Sequence, residues 1–190
     1  MDFLEKGYEV PVSGGRYYKL VQGENNFRII SSAIVGYEYW NLQDKPVRMK
    51  EFPKKKPVDI RPEKNGTWKV KHFWAFVVWS YENSDIEIME VTQKTIMNAI
   101  KSLVDNAKWG NPADYDITIT KSGNGLETTY AIMPSPKSEL EPKIAEDVKK
   151  SKVNLQALFE GGNPFEEIDT HESTLSAEEQ NDILNTIEVE

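Results

Sequence analysis

One run constrains this chain more than any other: residues 68–81, Trp-Lys-Val-Lys-His-Phe-Trp-Ala-Phe-Val-Val-Trp-Ser-Tyr. Aromatic and β-branched residues at this density suit a pleated, packed strand. Trp68, Val70, His72, Trp74, Phe76 and Val78 share one parity and read as a core face, since large aromatics such as Trp74 and Phe76 dominate cores. Lys69, Lys71, Phe73, Trp79 and Tyr81 share the other parity, where cations alternate with rings, and this side reads as a ligand face. Asn83-Ser84 ends the run, and residues 85–91 alternate again with Ile86 and Ile88 on one side.

The flanking sequence supplies the rest of a small β domain. Residues 17–20 and 26–30 read as short strands around a turn at 22–25, and 33–40 as a third strand in which Gly36 marks a bulge where the chain bends. The period then changes: Ile96, Met97, Ile100, Leu103, Val104 and Ala107 form one helical stripe, with Thr92 as the expected N-cap and Trp109-Gly110-Asn111-Pro112 as the stop. Residues 115–121 and 128–133 form a hairpin around Ser122-Gly123-Asn124-Gly125. A helix is expected over 140–159, stopped by Gly161-Gly162, and a short one over 176–187 opened by a Ser176/Glu179 capping box. The chain is thus mainly β with α additions. Its order suits an OB-fold-like five-stranded Greek-key barrel with the helix between core strands three and four. An open α+β sheet would read similarly. The expected organisation is an N-terminal arm (1–15), the barrel domain (16–137) with a long loop at 41–66, a C-terminal helix (138–160) and an acidic tail (161–190).

Charge separates these parts. The 190 residues carry a net −8, which taken as an average argues against a nucleic-acid binder. Residues 1–71, however, hold 14 Lys/Arg against 9 Asp/Glu, whereas 138–190 hold 4 against 14. The 45–71 stretch alone has 10 basic and 3 acidic residues, and from Glu160 onward there are 10 acidic residues and no Lys or Arg. A basic, aromatic front and an acidic tail imply two opposed electrostatic roles.

Single-strand binding needs cations that track phosphates and flat side chains on which bases stack. Tyr37, Tyr39, Trp40 and Phe73 are the expected stacking residues, and Arg28, Lys69 and Lys71 the expected phosphate contacts. Arg48, Lys50, Lys54, Lys55, Lys56 and Arg61 lie in the Pro-punctuated loop between two aromatic strands, where they would close on a backbone like a clamp. The tail would compete with phosphates for this basic surface and recruit partner proteins through Leu175, Ile183, Leu184 and Ile187.

Other chemistries find less support. Without Cys there is no disulfide, thiolate zinc site or cysteine nucleophile, and His72 and His171 are the only histidines. Ser13-Gly14-Gly15-Arg16 lacks the Lys-Ser/Thr of a P-loop. Asp114 and Asp116, spaced to share one strand face, could hold Mg²⁺ together with Glu127, the requirement of a metal-dependent nuclease. There is no apolar run long enough to span a membrane, and the first residues lack the basic and apolar regions of a signal peptide. The expected setting is cytoplasmic, in a host bacterium if the chain is phage-encoded.

Several segments resemble phage-encoded single-stranded DNA-binding proteins: Asn26-Phe27-Arg28-Ile29-Ile30, Gly36-Tyr37-Glu38-Tyr39-Trp40, and His72-Phe73-Trp74-Ala75-Phe76-Val77-Val78-Trp79. Thr92-Gln93-Lys94-Thr95-Ile96, Trp109-Gly110-Asn111-Pro112-Ala113-Asp114-Tyr115-Asp116-Ile117 and Thr129-Tyr130-Ala131-Ile132-Met133-Pro134 extend the resemblance, in order, over about 17–136. It implies an OB-fold core that sequesters single-stranded DNA in replication, recombination and repair, with an acidic C-terminus for replication or recombination partners. Two departures stand out: without Cys, the zinc site that some phage relatives carry has no thiolate ligands here, and the chain ends Ile187-Glu188-Val189-Glu190 where bacterial single-strand binding proteins end in an acidic Pro-Phe tip. The expectation is a non-enzymatic, sequence-tolerant binder with no cofactor or metal. A protein-interaction adaptor is the alternative, and the nuclease a more distant one.

Overall fold

A computed structural model describes residues 16–165. The expected N-terminal arm, the short helix at 176–187, His171 and almost all of the acidic tail lie outside the described residues. Seven strands, β1 (Gly23–Ile29), β2 (Ile34–Trp40), β3 (Pro46–Met49), β4 (Lys71–Ser80), β5 (Asp85–Val91), β6 (Asp116–Ser122) and β7 (Thr129–Pro134), form one antiparallel sheet. The helices are α1 (Lys94–Asp105), α2 (Pro142–Lys150) and α3 (Ala157–Glu160).

The aromatic run is the spine of this sheet. One edge of β4 carries β2 along its first half, from Lys71 opposite Glu38 to Ala75 opposite Ile34. The same edge carries β1 along its second half, from Val78 opposite Ile29 to Ser80 opposite Phe27. β5 occupies the other edge, so β1 and β2 lie end to end on a single neighbour. The chain bends between them at 30–33, where Ile30 N donates to Val77 O and the Ser31 hydroxyl accepts from Val77 N at 2.9 Å. A side chain thus supplies the ladder bond that the bend removes.

The sequence placed this bend at Gly36, but Gly36 sits in unbroken pairing opposite Phe73. Its lack of a side chain serves a close approach: a Cβ there would lie 2.5 Å from Met49 O, 2.8 Å from a Phe159 ring carbon and 3.0 Å from Phe73. Beyond β1 the sheet continues through β6 to β7, and β3 forms the far edge on β2. The expected order of strands, a helix and a closing hairpin is present, with α1 between β5 and β6 of seven strands rather than between the third and fourth of five. The sheet is open, with no ladder between β5 and β7 among the described residues.

Two apolar layers hold the fold. Phe27, Ile29, Phe76 and Val78 pack with Met89, Val91 and the Ile96–Met97–Ile100 face of α1. On the other side Phe73, Ala75, Val77 and Trp79 pack with Ile86, Ile88 and with Ile144, Leu155 and Leu158 from the C-terminal segment. β4 is therefore buried on both faces over most of its length, which is why it reads as nearly continuous apolar sequence.

Several boundaries differ from expectation. The strand at 17–20 reduces to one parallel bridge, Tyr17 to Ile88, while 22–25 belongs largely to β1 rather than to a turn. The loop at 41–66 contains strand β3. The N-cap position of α1 is Gln93, with no side-chain cap, rather than Thr92. The helix expected over 140–159 is split into α2 and α3. Ser151 returns its hydroxyl to Val148 O, and Asn154 accepts from Gln156 N, local bonds that compete with helical continuation.

Candidate nucleic-acid interface

The first half of β4 is where the core face surfaces. α1 covers the even-numbered side chains from Phe76 onward, leaving Trp74 half-buried and His72 exposed. Tyr37 lies directly opposite His72, with ring centroids 5.2 Å apart, and Phe52 meets Tyr37 edge-on at 5.4 Å. Phe52 is 52% exposed. Two residues earlier, Val35 faces Trp74 across the ladder and is also exposed. These side chains form a half-exposed aromatic strip from the basic loop to the α1 side of the sheet. Partly exposed rings fixed by neighbouring rings are suitable stacking platforms, because little side-chain freedom remains to be lost.

The basic loop is rooted on the end of β2. Asn41 pairs with Ile60, Leu42 N donates to Asp59 O, and Arg61 N donates to Trp40 O. The Tyr39 hydroxyl donates to Asp59 Oδ1 at 2.8 Å; burial, reinforced by Asp59, pushes this phenol up to about 12. Above this neck Lys54, Lys55 and Lys56 are exposed and form no ion pair with a described residue. Lys50 and Lys69 are exposed too, with the Lys50 ammonium 5.6 Å from the Phe159 ring. At the neck the Arg61 guanidinium sits 5.8 Å from the Trp40 ring and pairs with Asp44; Trp40 is 40% exposed.

The other expected site residues are committed elsewhere. Phe73 is fully buried beneath the C-terminal segment, so the ligand face assigned to its side of β4 is corrected: it is the second core layer. Tyr39 is buried. Arg28, 1% exposed, donates from Nε to Asp116 Oδ1, from Nη1 to the carbonyls of Ala113 and Ser138, and from Nη2 to Ser138 Oγ. Arg48 pairs with Glu90 at 2.5 Å and lies opposite Glu38, as does Lys71 from β4. Burial and the nearby Glu90 raise the pKa of Glu38, while Arg48 and Lys71 oppose the shift.

Sequence reasoning missed Phe52, His72, Val35 and Trp74. The inverted assignment had a readable signal: Leu140, Ile144 and Val148 recur at helical spacing and require an apolar face to cover.

The carboxylates considered for a metal are also placed. Asp114 lies in a 3-10 turn (Pro112–Asp114) rather than on the strand and pairs with Lys137, while Asp116 accepts from Arg28 and from the Tyr81 hydroxyl. Glu127 belongs to the turn Gly125–Glu127 between β6 and β7. No cluster of three potential His, Asp or Glu metal ligands occurs among the described residues. Among the same residues no helix is long and apolar enough to cross a membrane.

The open sheet sets a half-exposed aromatic strip next to a loop of exposed lysines that pair with no described residue, a combination of the kind that single-strand binding requires. A protein of Escherichia phage T5 named "Probable ssDNA-binding protein" is similar to this chain, with 23% identity over 151 residues. The alignment covers 67% of this chain and 58% of that protein, so the chain spans less than two thirds of the relative's length. No protein-family model matches the chain, and no solved structure does.

Proposed function

We propose that this chain binds single-stranded DNA without sequence preference and without catalysis. The observation that carries the reading is the half-exposed group of Tyr37, Phe52 and His72 beside Lys54, Lys55 and Lys56, which are exposed and form no ion pair with a described residue. The phage relative's name supports the same ligand. Bases stack along the strip and on Trp40, while phosphates are drawn to the loop lysines, Lys50, Lys69 and Arg61. Arg28, Arg48, Lys71, Tyr39 and Phe73 support this surface from within the fold. β1, β4, β5, β6 and β7 correspond to the five core strands of an opened OB-type barrel. Binding protects and organises single strands during phage replication, recombination and repair in the host cytoplasm. The acidic tail competes for the basic loop and recruits replication or recombination proteins.

Titrating the full chain with oligo-dT at two salt concentrations tests the reading, with tryptophan fluorescence as the signal. Trp74 lies on the strip and Trp40 and Trp68 are exposed, so quenching is expected, weakening steeply with salt through counterion release. Absence of quenching, or salt-insensitive binding, overturns it. Removing residues 166–190 is expected to tighten binding; unchanged affinity removes the competing role of the tail.

A further inference from the structure

The aromatic strip does not end at Trp74. The indole also lines a pocket of about 450 Å³ between the β1–β2 bend and the last turns of α1. Its apolar walls are Trp74, Phe76, Ile100, Val104 and Pro112, and its polar rim is formed by Ser31, Ser32 and Asn111. Small-molecule sites have this character: ~300–1,000 Å³, apolar walls and a few polar groups that fix orientation.

The rim groups are unequally engaged. The Ser31 hydroxyl accepts from Val77 N and donates to Ser32 O, and Asn111 Oδ1 accepts from Ala113 N. Among the described residues nothing bonds to the Asn111 amide NH₂ or the Ser32 hydroxyl, which are available to an occupant. Among the described residues no charged one lines the pocket, and Val104 places it at the C-terminal end of α1, where the helix dipole is negative. Such a pocket disfavours a phosphate and suits a flat, uncharged ring with polar edges.

We infer that this pocket receives one nucleobase of a bound single strand, stacked on Trp74 and contacted at its edge by Asn111 and Ser32. The inference rests on the proposed single-strand binding and adds a defined terminus to the path of bases. The strand runs from Phe52 over Tyr37 and His72 to Trp74, where one base leaves the surface and enters the pocket. The backbone stays outside, because the pocket holds nothing to neutralise it.

Two measurements on the full chain test this. An oligonucleotide of 5-bromodeoxyuridine, irradiated in complex with the native chain, is expected to crosslink to Trp74 or to residues 111–113. Ala33→Trp, which fills the pocket from its exposed lip, is expected to weaken oligo-dT binding at least fivefold at an unchanged melting temperature. Crosslinks confined to positions 37, 52 and 72, with salt-dependent binding intact and Ala33→Trp binding like the native chain, overturn the pocket and leave single-strand binding standing. If the native chain does not bind oligo-dT, both fall together. Should Ala33→Trp not fold, the crosslink map of the native chain decides.

Discussion

Arg28 Nε and Asp116 Oδ1 are 2.6 Å apart on paired strands, with the arginine side chain almost wholly removed from water. The guanidinium also ties down Ala113 and Ser138, so one side chain joins β1, the turn before β6 and the segment leading to α2. Removing one partner of a buried pair costs more than the pair contributes, because the other charge is left stranded. Asp116→Asn is therefore expected to destabilise the fold by about 3 kcal/mol. Urea denaturation checks this, and a loss below about 1 kcal/mol would contradict the buried-anchor role.

Gly36 predicts a steric result. Gly36→Ala places a methyl group against Met49 O and the rings of Phe159 and Phe73. Overpacking of this kind costs about 1–3 kcal/mol. An unchanged urea midpoint would mean that the C-terminal segment does not press on β2 as described.

Phe73 and Tyr37 separate core from surface. Phe73→Ala is expected to cost about 3–5 kcal/mol of stability, as for a large buried aromatic. Tyr37→Ala and Phe52→Ala should leave folding nearly intact while weakening oligo-dT binding by about 1–3 kcal/mol each. The paired readout is melting temperature against affinity, and the reverse pattern would restore Phe73 to the ligand face.

Substituting Lys54, Lys55 and Lys56 by Glu should weaken single-strand binding and flatten its salt dependence. Each lost phosphate contact removes about 0.7 from the slope of log K against log salt. A slope equal to that of the native chain would make the loop an ordinary surface, as the adaptor alternative holds. Stability should change by no more than about 0.5 kcal/mol, since these lysines are exposed and form no ion pair with a described residue.

Alkaline pH should unfold the protein through its tyrosines. Burial, with Asp59 and Asp116 as neighbours, raises Tyr39 and Tyr81 to about 12, and burial together with Glu82 raises Tyr18 as well. A phenol with a raised folded-state pKa contributes stability that is complete below about 10 and is lost as pH climbs toward 12, since the unfolded chain releases its proton first. The urea midpoint should fall as pH rises from about 10 to about 12. Tyr39→Phe should make that decline shallower.

The sequence carried much of this architecture and misassigned one decisive surface. β4, β5, α1 and the β6–β7 hairpin were legible because their periods and turns are local properties: the Ile86–Ile88 alternation, the Ile96–Ile100 stripe and the glycines at 123 and 125. Which face of β4 meets solvent is not local. It depends on α2 and α3, more than sixty residues downstream, covering Phe73 while α1 stops short of His72. β3 was hidden for a different reason. Four residues starting with proline and including an arginine show no period, and only pairing with β2 makes them a strand. Of the basic residues, Lys54, Lys55 and Lys56 lie on the surface, whereas Arg28 and Arg48 neutralise internal carboxylates. Composition alone cannot tell these two uses apart.

The neck of the basic loop has a thermodynamic consequence for capture. A loop of this length would ordinarily have to be brought to order as a ligand closes it, and that entropy would be subtracted from affinity. Here the Asn41–Ile60 pairing and the Tyr39–Asp59 bond have fixed its root during folding. On the proposed reading, the lysines would meet a single strand as charge already aimed, leaving mainly their own side chains to settle.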